Sequence, residues 1–134
     1  MVICFDLDFP NGPVRSVVQG GAEIVAAPSI DFASVADIRT ASAVFRALEN
    51  RVGIVKADLA WDSAVVAADG RILGGTVITD EDGGVAVAVV DLPRGPGGAP
   101  FTAYGNWPIT LVAIGLFIAL GTAMVRSARR ASSQ

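Results

Sequence analysis

Histidine is absent from all 134 residues. Without an imidazole the chain can hold no Ser-His-Asp triad, no Cys-His dyad and no His-based metal site. Cysteine occurs once, at Cys4, which excludes an internal disulfide framework and leaves too few soft ligands for zinc. Positive charge is scarce in the body of the chain. Residues 1–108 carry seven basic and thirteen acidic side chains, a balance of -6, and Arg126, Arg129 and Arg130 bring the total to -3. An acidic body without a basic patch argues against nucleic acid as a partner. Charge of either sign is missing from residues 107–125.

Hydrophobic residues make up 52% of the sequence and mean hydropathy is +0.56, more than a soluble domain needs. The excess sits at the C-terminus, and the length allows one domain with some residues to spare. As a helix, residues 109–125 would rise about 26 Å, close to the roughly 30 Å of a hydrocarbon core. Tyr104 and Trp107 stand at one end as interfacial aromatics and the three arginines at the other. This pattern predicts a transmembrane helix over 107–125 with a cytoplasmic basic tail over 126–134. The globular part then lies on the outer face of a bacterial plasma membrane. A translocated domain would need a leader, so the expectation is that more chain precedes Met1.

The chain opens on an apolar run that carries Cys4 and breaks into Asp6, Asp8, Pro10 and the turn pair Asn11-Gly12. Residues 2–10 read as a buried strand that stops abruptly. A strand end is a rigid place for a nucleophile, although a small buried thiol is the commoner use of such a cysteine. Residues 13–18 read as a short helix with Pro13 near its start and Gly20-Gly21 at its end. Residues 22–27 read as a strand stopped by Pro28, followed by a loop over 29–36. Ser34 and Asp37 suggest a weak capping box for the next helix. Ile38, Ala41, Val44, Phe45 and Leu48 form its apolar stripe, with Arg39, Arg46, Glu49 and Arg51 off that stripe and Asn50 at the end. Strands follow at 53–57, 62–67 and 71–78, the last two joined at Asp69-Gly70. Residues 80–84 read as a solvated acidic turn rather than a calcium loop, 85–90 as a Val/Ala strand, and 92–105 as an irregular linker.

Four stretches, taken in order, resemble the C-terminal part of the carbon-nitrogen hydrolase (nitrilase) superfamily. They are Ile3-Cys4-Phe5-Asp6; Gly21-Ala22-Glu23-Ile24-Val25-Ala26-Ala27-Pro28-Ser29; Phe45-Arg46-Ala47-Leu48-Glu49-Asn50-Arg51; and Ser63-Ala64-Val65-Val66 with Asp69-Gly70-Arg71-Ile72-Leu73. Tyr104-Gly105-Asn106-Trp107-Pro108, ahead of the apolar segment, looks like the apolipoprotein N-acyltransferase branch and its membrane-bound relatives.

The resemblance implies an α/β fold: part of an α-β-β-α sandwich over residues 1–92, a linker at 93–106 and one C-terminal transmembrane helix. It also implies a Glu-Lys-Cys triad. Cys4 would be the nucleophile and form a thioester, which needs no histidine. The backbone N–H of Phe5 would be an oxyanion donor and Asp6 a supporting residue, where the acyltransferases have Glu. The Glu and Lys of such a triad lie upstream of the cysteine, so a complementing N-terminal half is expected. Partners would be the membrane, an acyl donor such as a phospholipid and an amine acceptor such as a lipoprotein; no cofactor or metal is called for. Leu59-Ala60-Trp61 departs from the acyltransferase pattern and looks more like a divergent membrane-bound subgroup. Lys56 reads as a surface lysine rather than a member of the triad. The alternative is a non-catalytic nitrilase-like module, an assembly partner or a poorly folded chain with no independent function.

Overall fold

The computed structural model describes residues 1–59, 61–76 and 98–131. The expected first strand does not form. Ile3 is extended, but Cys4–Asp8 is a 3₁₀ turn. Its cause is local. The Asp6 carboxylate accepts a hydrogen bond from the Ile3 N–H at 2.9 Å, and the Asp6 N–H donates to the Ile3 carbonyl at 2.8 Å. A short acidic side chain that bonds its own upstream backbone favours a turn over a strand. Leu7 is driven fully into the core by this bend.

Helix α1 spans Pro13–Gln19, as its N1 proline predicts. Strand β1 is Ile24–Ser29 and helix α2 is Ala36–Asn50. Strands β2, β3 and β4 are Gly53–Asp58, Ser63–Val66 and Ile72–Thr76. The sheet order is β1-β2-β3-β4, with β1 parallel to β2 and the other pairs antiparallel. The parallel pair needs the crossover that α2 supplies. Pro28 does not stop β1, which continues to Ser29. Among the described residues β1 pairs only with β2, and an edge tolerates a residue without an N–H. The expected strand 71–78 is described as far as Thr76. The turn at 80–84 and the strand at 85–90 lie outside the described residues.

The apolar stripe of α2 is mostly turned outward, with Val44 alone among its large residues packed in part against the core. Ile38, Phe45 and Leu48 are 65%, 58% and 45% exposed. Ala36, Ala43, Arg46, Ala47 and Asn50 are buried instead. Alanines let the helix backbone lie close over Ile54, Ala64 and Val66 of the sheet and over Leu7, Val14 and Val18. Arg46 can be buried there because Glu49 answers it at 3.0 Å. The helix start also differs from the capping box: Val35 is the N-cap, no side chain caps it, and the N–H groups of Val35 and Ala36 donate to the Phe32 carbonyl.

The supposed linker is ordered where it is described. Pro100–Tyr104 is a short helix, α3. Arg15 donates to the carbonyls of Phe101, Thr102 and Ala103 at 3.0–3.2 Å, and Gln19 donates to that of Thr102 at 2.8 Å. The Thr102 hydroxyl donates to the fully buried Asn50 side chain at 3.1 Å. Helix α4, Trp107–Ala131, follows after Gly105 and Asn106. Its residues 107–127 have a mean hydropathy of 2.2, and none of the apolar window is buried.

The α2 register has a direct test in urea unfolding of the full chain in mild detergent. Ala47→Leu overpacks the helix–sheet seam and should cost about 1–3 kcal/mol, whereas Phe45→Ser should stay within about 0.5 kcal/mol. A larger loss for Phe45→Ser would place the wrong face inward.

Candidate active site

The inward row of each parallel strand starts apolar and ends polar. Val25 and Ala27 lead to Ser29 on β1, and Ile54 leads to Lys56 and Asp58 on β2. The polar ends meet at the carboxyl edge of the sheet, where open α/β folds place their ligands. The turn bearing Cys4 lies over this edge.

Cys4 sits at φ +35°, in a region that side chains other than glycine rarely occupy. Its thiol is partly exposed, and the Arg39 guanidinium donates to Sγ at 3.4 Å. Asp31 Oδ1 lies 3.9 Å from Sγ. The same oxygen accepts from the Ser29 hydroxyl at 2.8 Å and lies 3.7 Å from Arg39 Nη1. Arg39 is fixed further by Asp8 at 3.3 Å and by stacking over the Phe5 ring at 4.4 Å.

Below this layer Lys56 is almost wholly buried, at 1% exposure, so it is not a surface lysine. Its ammonium lies 2.8 Å from Asp31 Oδ2 and 3.5 Å from Asp58 Oδ2, and donates to the Asp62 carbonyl at 2.9 Å. Asp62 reaches that place from φ +25°. The Asp58 carboxylate in turn accepts from the N–H groups of Asp31 and Trp61. Every charge in the stack thus meets an opposite charge or a hydrogen-bond donor, as burial requires.

Hydrogen bonding from Ser29, whose hydroxyl is turned to Asp31 at 2.8 Å while the thiol is neutral, is the largest influence favouring the anionic form of Cys4, and burial opposes it. The Ile30 N–H and Arg39 add to the lowering, so the thiol ionises below its ordinary range. The folded chain therefore holds this proton less tightly than the unfolded one. The stability linked to Cys4 is present above the ordinary thiol value and fades as pH falls through the folded one.

Of the residues expected in the site, Cys4 stands at its centre. The Phe5 N–H belongs to the first turn of a 3₁₀ helix, where N–H groups lack helical acceptors. The Asp6 carboxylate is used to hold the Ile3 N–H. Ser29, Asp31, Arg39, Lys56 and Asp58 were not expected there. The signal for Ser29, Asp31, Lys56 and Asp58 was the alternation Ser29-Ile30-Asp31 and Lys56-Ala57-Asp58 at the ends of two apolar runs, and Arg39 carried none. Among the described residues no group of three or more His, Cys, Asp or Glu side chains is arranged to hold a metal ion.

No family model matches the sequence, and no curated protein matches it. Solved structures do. Nit3 of Saccharomyces cerevisiae, a member of branch 10 of the nitrilase superfamily, superposes with a TM-score of 0.54 at 23% identity, over 59% of this chain and 33% of that one. A carbon-nitrogen hydrolase from Helicobacter pylori superposes with a TM-score of 0.50 at 19% identity, over 59% of this chain and 36% of that one. At such identities the likeness is one of fold. The chain has the mixed α/β architecture found in nitrilase-superfamily structures and spans about a third of their length.

The thiol's environment predicts a shifted alkylation profile. Iodoacetamide should modify Cys4 with a midpoint below that of free cysteine, and Arg39→Met should move the midpoint upward. An unshifted wild-type profile would contradict the geometry.

Proposed function

We propose that this chain is the nucleophile-bearing part of a membrane-anchored, cysteine-dependent carbon-nitrogen hydrolase, acting as an N-acyltransferase through a thioester on Cys4. The observation that carries the reading is a thiol on a strained turn at the carboxyl edge of a nitrilase-like sheet, 3.4 Å from a guanidinium. The Cys4 thiolate attacks the carbonyl carbon of an acyl donor, and negative charge gathers on the carbonyl oxygen. The Phe5 N–H supplies one donor for that oxyanion. Collapse expels the leaving group, which takes a proton, and leaves an S-acyl enzyme. A neutral amine then attacks the thioester carbonyl, loses its proton, and restores the thiolate. In this reading the general-base Glu and the Lys of the triad come from chain N-terminal to Cys4. A phospholipid is the donor and a lipoprotein N-terminus the acceptor.

The reading is tested by offering an activated long-chain ester to the full chain, together with any upstream segment encoded with it. The expected product is a single acyl adduct at Cys4, released by hydroxylamine and absent in Cys4→Ser. Labelling no faster than free cysteine would favour the non-catalytic assembly module.

The same proposal makes α4 the anchor, with Arg126, Arg129 and Arg130 cytoplasmic and the body outside. Its support is an apolar helix of which none of the window is covered by the rest of the chain. Leu116→Arg sets a charge at mid-helix, at about 2.5–3.5 kcal/mol on insertion scales, and should release the chain from membranes. Cys4 is the one thiol in the chain, so a membrane-impermeant maleimide reports its side. Intact cells should label; labelling only after permeabilisation would invert the topology.

A further inference from the structure

Asp31 and Lys56 are, with Asp58, the deeply buried charges near the sulfur, and the reaction above leaves them without a task. The Asp31 and Lys56 side chains are 1% and 0% exposed and lie 2.8 Å apart. Asp31 alone joins the two layers of the site: one oxygen faces Ser29, Arg39 and Cys4, the other faces Lys56.

We propose that the Asp31–Lys56 pair is a positioning device for Cys4. Asp31 holds the Ser29 hydroxyl and the Arg39 guanidinium beside the sulfur, and Lys56 cancels the negative charge that Asp31 would otherwise turn against a thiolate. The inference rests on Cys4 being the nucleophile of the proposed reaction.

The placement supports each half of this. A carboxylate 3.9 Å from Sγ opposes a second anion there unless its own charge is answered. Lys56 answers it at Asp31 Oδ2, 2.8 Å away, while the other carboxylate oxygen, Oδ1, is the one 3.9 Å from the sulfur. Arg39 is left as the cation that touches sulfur. The remaining charged groups are committed elsewhere. Asp6 holds the Ile3 N–H and Asp8 pairs with Arg39. From α2, Arg46 pairs with Glu49. From β2, Asp58 accepts from the Asp31 and Trp61 N–H groups, and Asp62 contributes its backbone carbonyl. Taken together, Asp31, Asp58 and Lys56 present one net negative charge. Removing Lys56 makes it two, removing Asp31 makes it none, and removing both restores one.

The experiment is the pH dependence of Cys4 alkylation by iodoacetamide in the full-length chain in mild detergent. Asp31→Asn keeps an amide oxygen to accept from Ser29 and Arg39 but removes the charge, so it should lower the midpoint, and Lys56→Met should raise it, each by about one pH unit or more. The double variant should return close to wild type. A purely structural pair would move folding but give no opposed shifts and no cancellation. Unmoved midpoints, or both single variants moving the same way, overturn the inference. If Lys56→Met does not fold, Asp31→Asn and the double variant decide: a downward shift undone in the double supports the device, and its absence refutes it. The hydroxylamine-sensitive adduct is scored separately. An adduct with unmoved midpoints removes this inference alone, whereas opposed shifts without an adduct remove the acyl-transfer reading and uphold the electrostatic one.

Discussion

A lysine ammonium without solvent contact lies between two carboxylates, and much of the local architecture serves to keep it paired. Taking such a charge out of water costs several kcal/mol, returned only when partners close around it with good geometry. The parallel register of β1 and β2 sets Ala27 beside Lys56 and Ser29 beside Asp58. That arrangement brings the chain leaving β1 over the end of β2, and Asp31 arrives on the ammonium from it. The bend at Asp62 delivers a carbonyl to the same nitrogen. Two polar strand ends, one loop and one turn are thus fixed by a single buried cation, and the cysteine rests on the result.

Local turn and helix chemistry was the most legible part of the fold. Pro13 announced α1, Asp69-Gly70 announced the β3–β4 hairpin, and Asn50 closed α2. The first strand was misread because the apolar run Val2-Ile3-Cys4-Phe5 was weighed above the Asp6 carboxylate, which closes a turn on its own upstream backbone. The inward face of α2 was not legible for a different reason. Its sequence holds two helical stripes, one of large apolar residues and one of alanine with arginine, and hydrophobicity prefers the first. Packing prefers the second, because small residues bring a helix closer to a sheet and the arginines find carboxylates there. Periodicity cannot weigh an ion pair such as Arg39–Asp8, which reaches across 31 positions to another element.

The site was half legible for the same reason. Cys4 stood out as a single nucleophile on an abrupt chain reversal. Lys56 was passed over because one lysine among β-branched residues carries no mark of burial. Its partners at Asp31 and Asp58 belong to different segments, and only the parallel pairing brings them together. The order of the motifs led to the nitrilase-like architecture that the solved structures share. The charge network was visible only in three dimensions.

Gly105 has a mechanical consequence. It stands at φ +60° between the clamped helix α3 and the long helix α4, and a Cβ there would come within 2.8 Å of Asn11 Oδ1. Arg15 grips three successive carbonyls just before it. Any side chain at this junction would have to displace Asn11, so the passage from the clamped helix into the apolar one suits glycine alone.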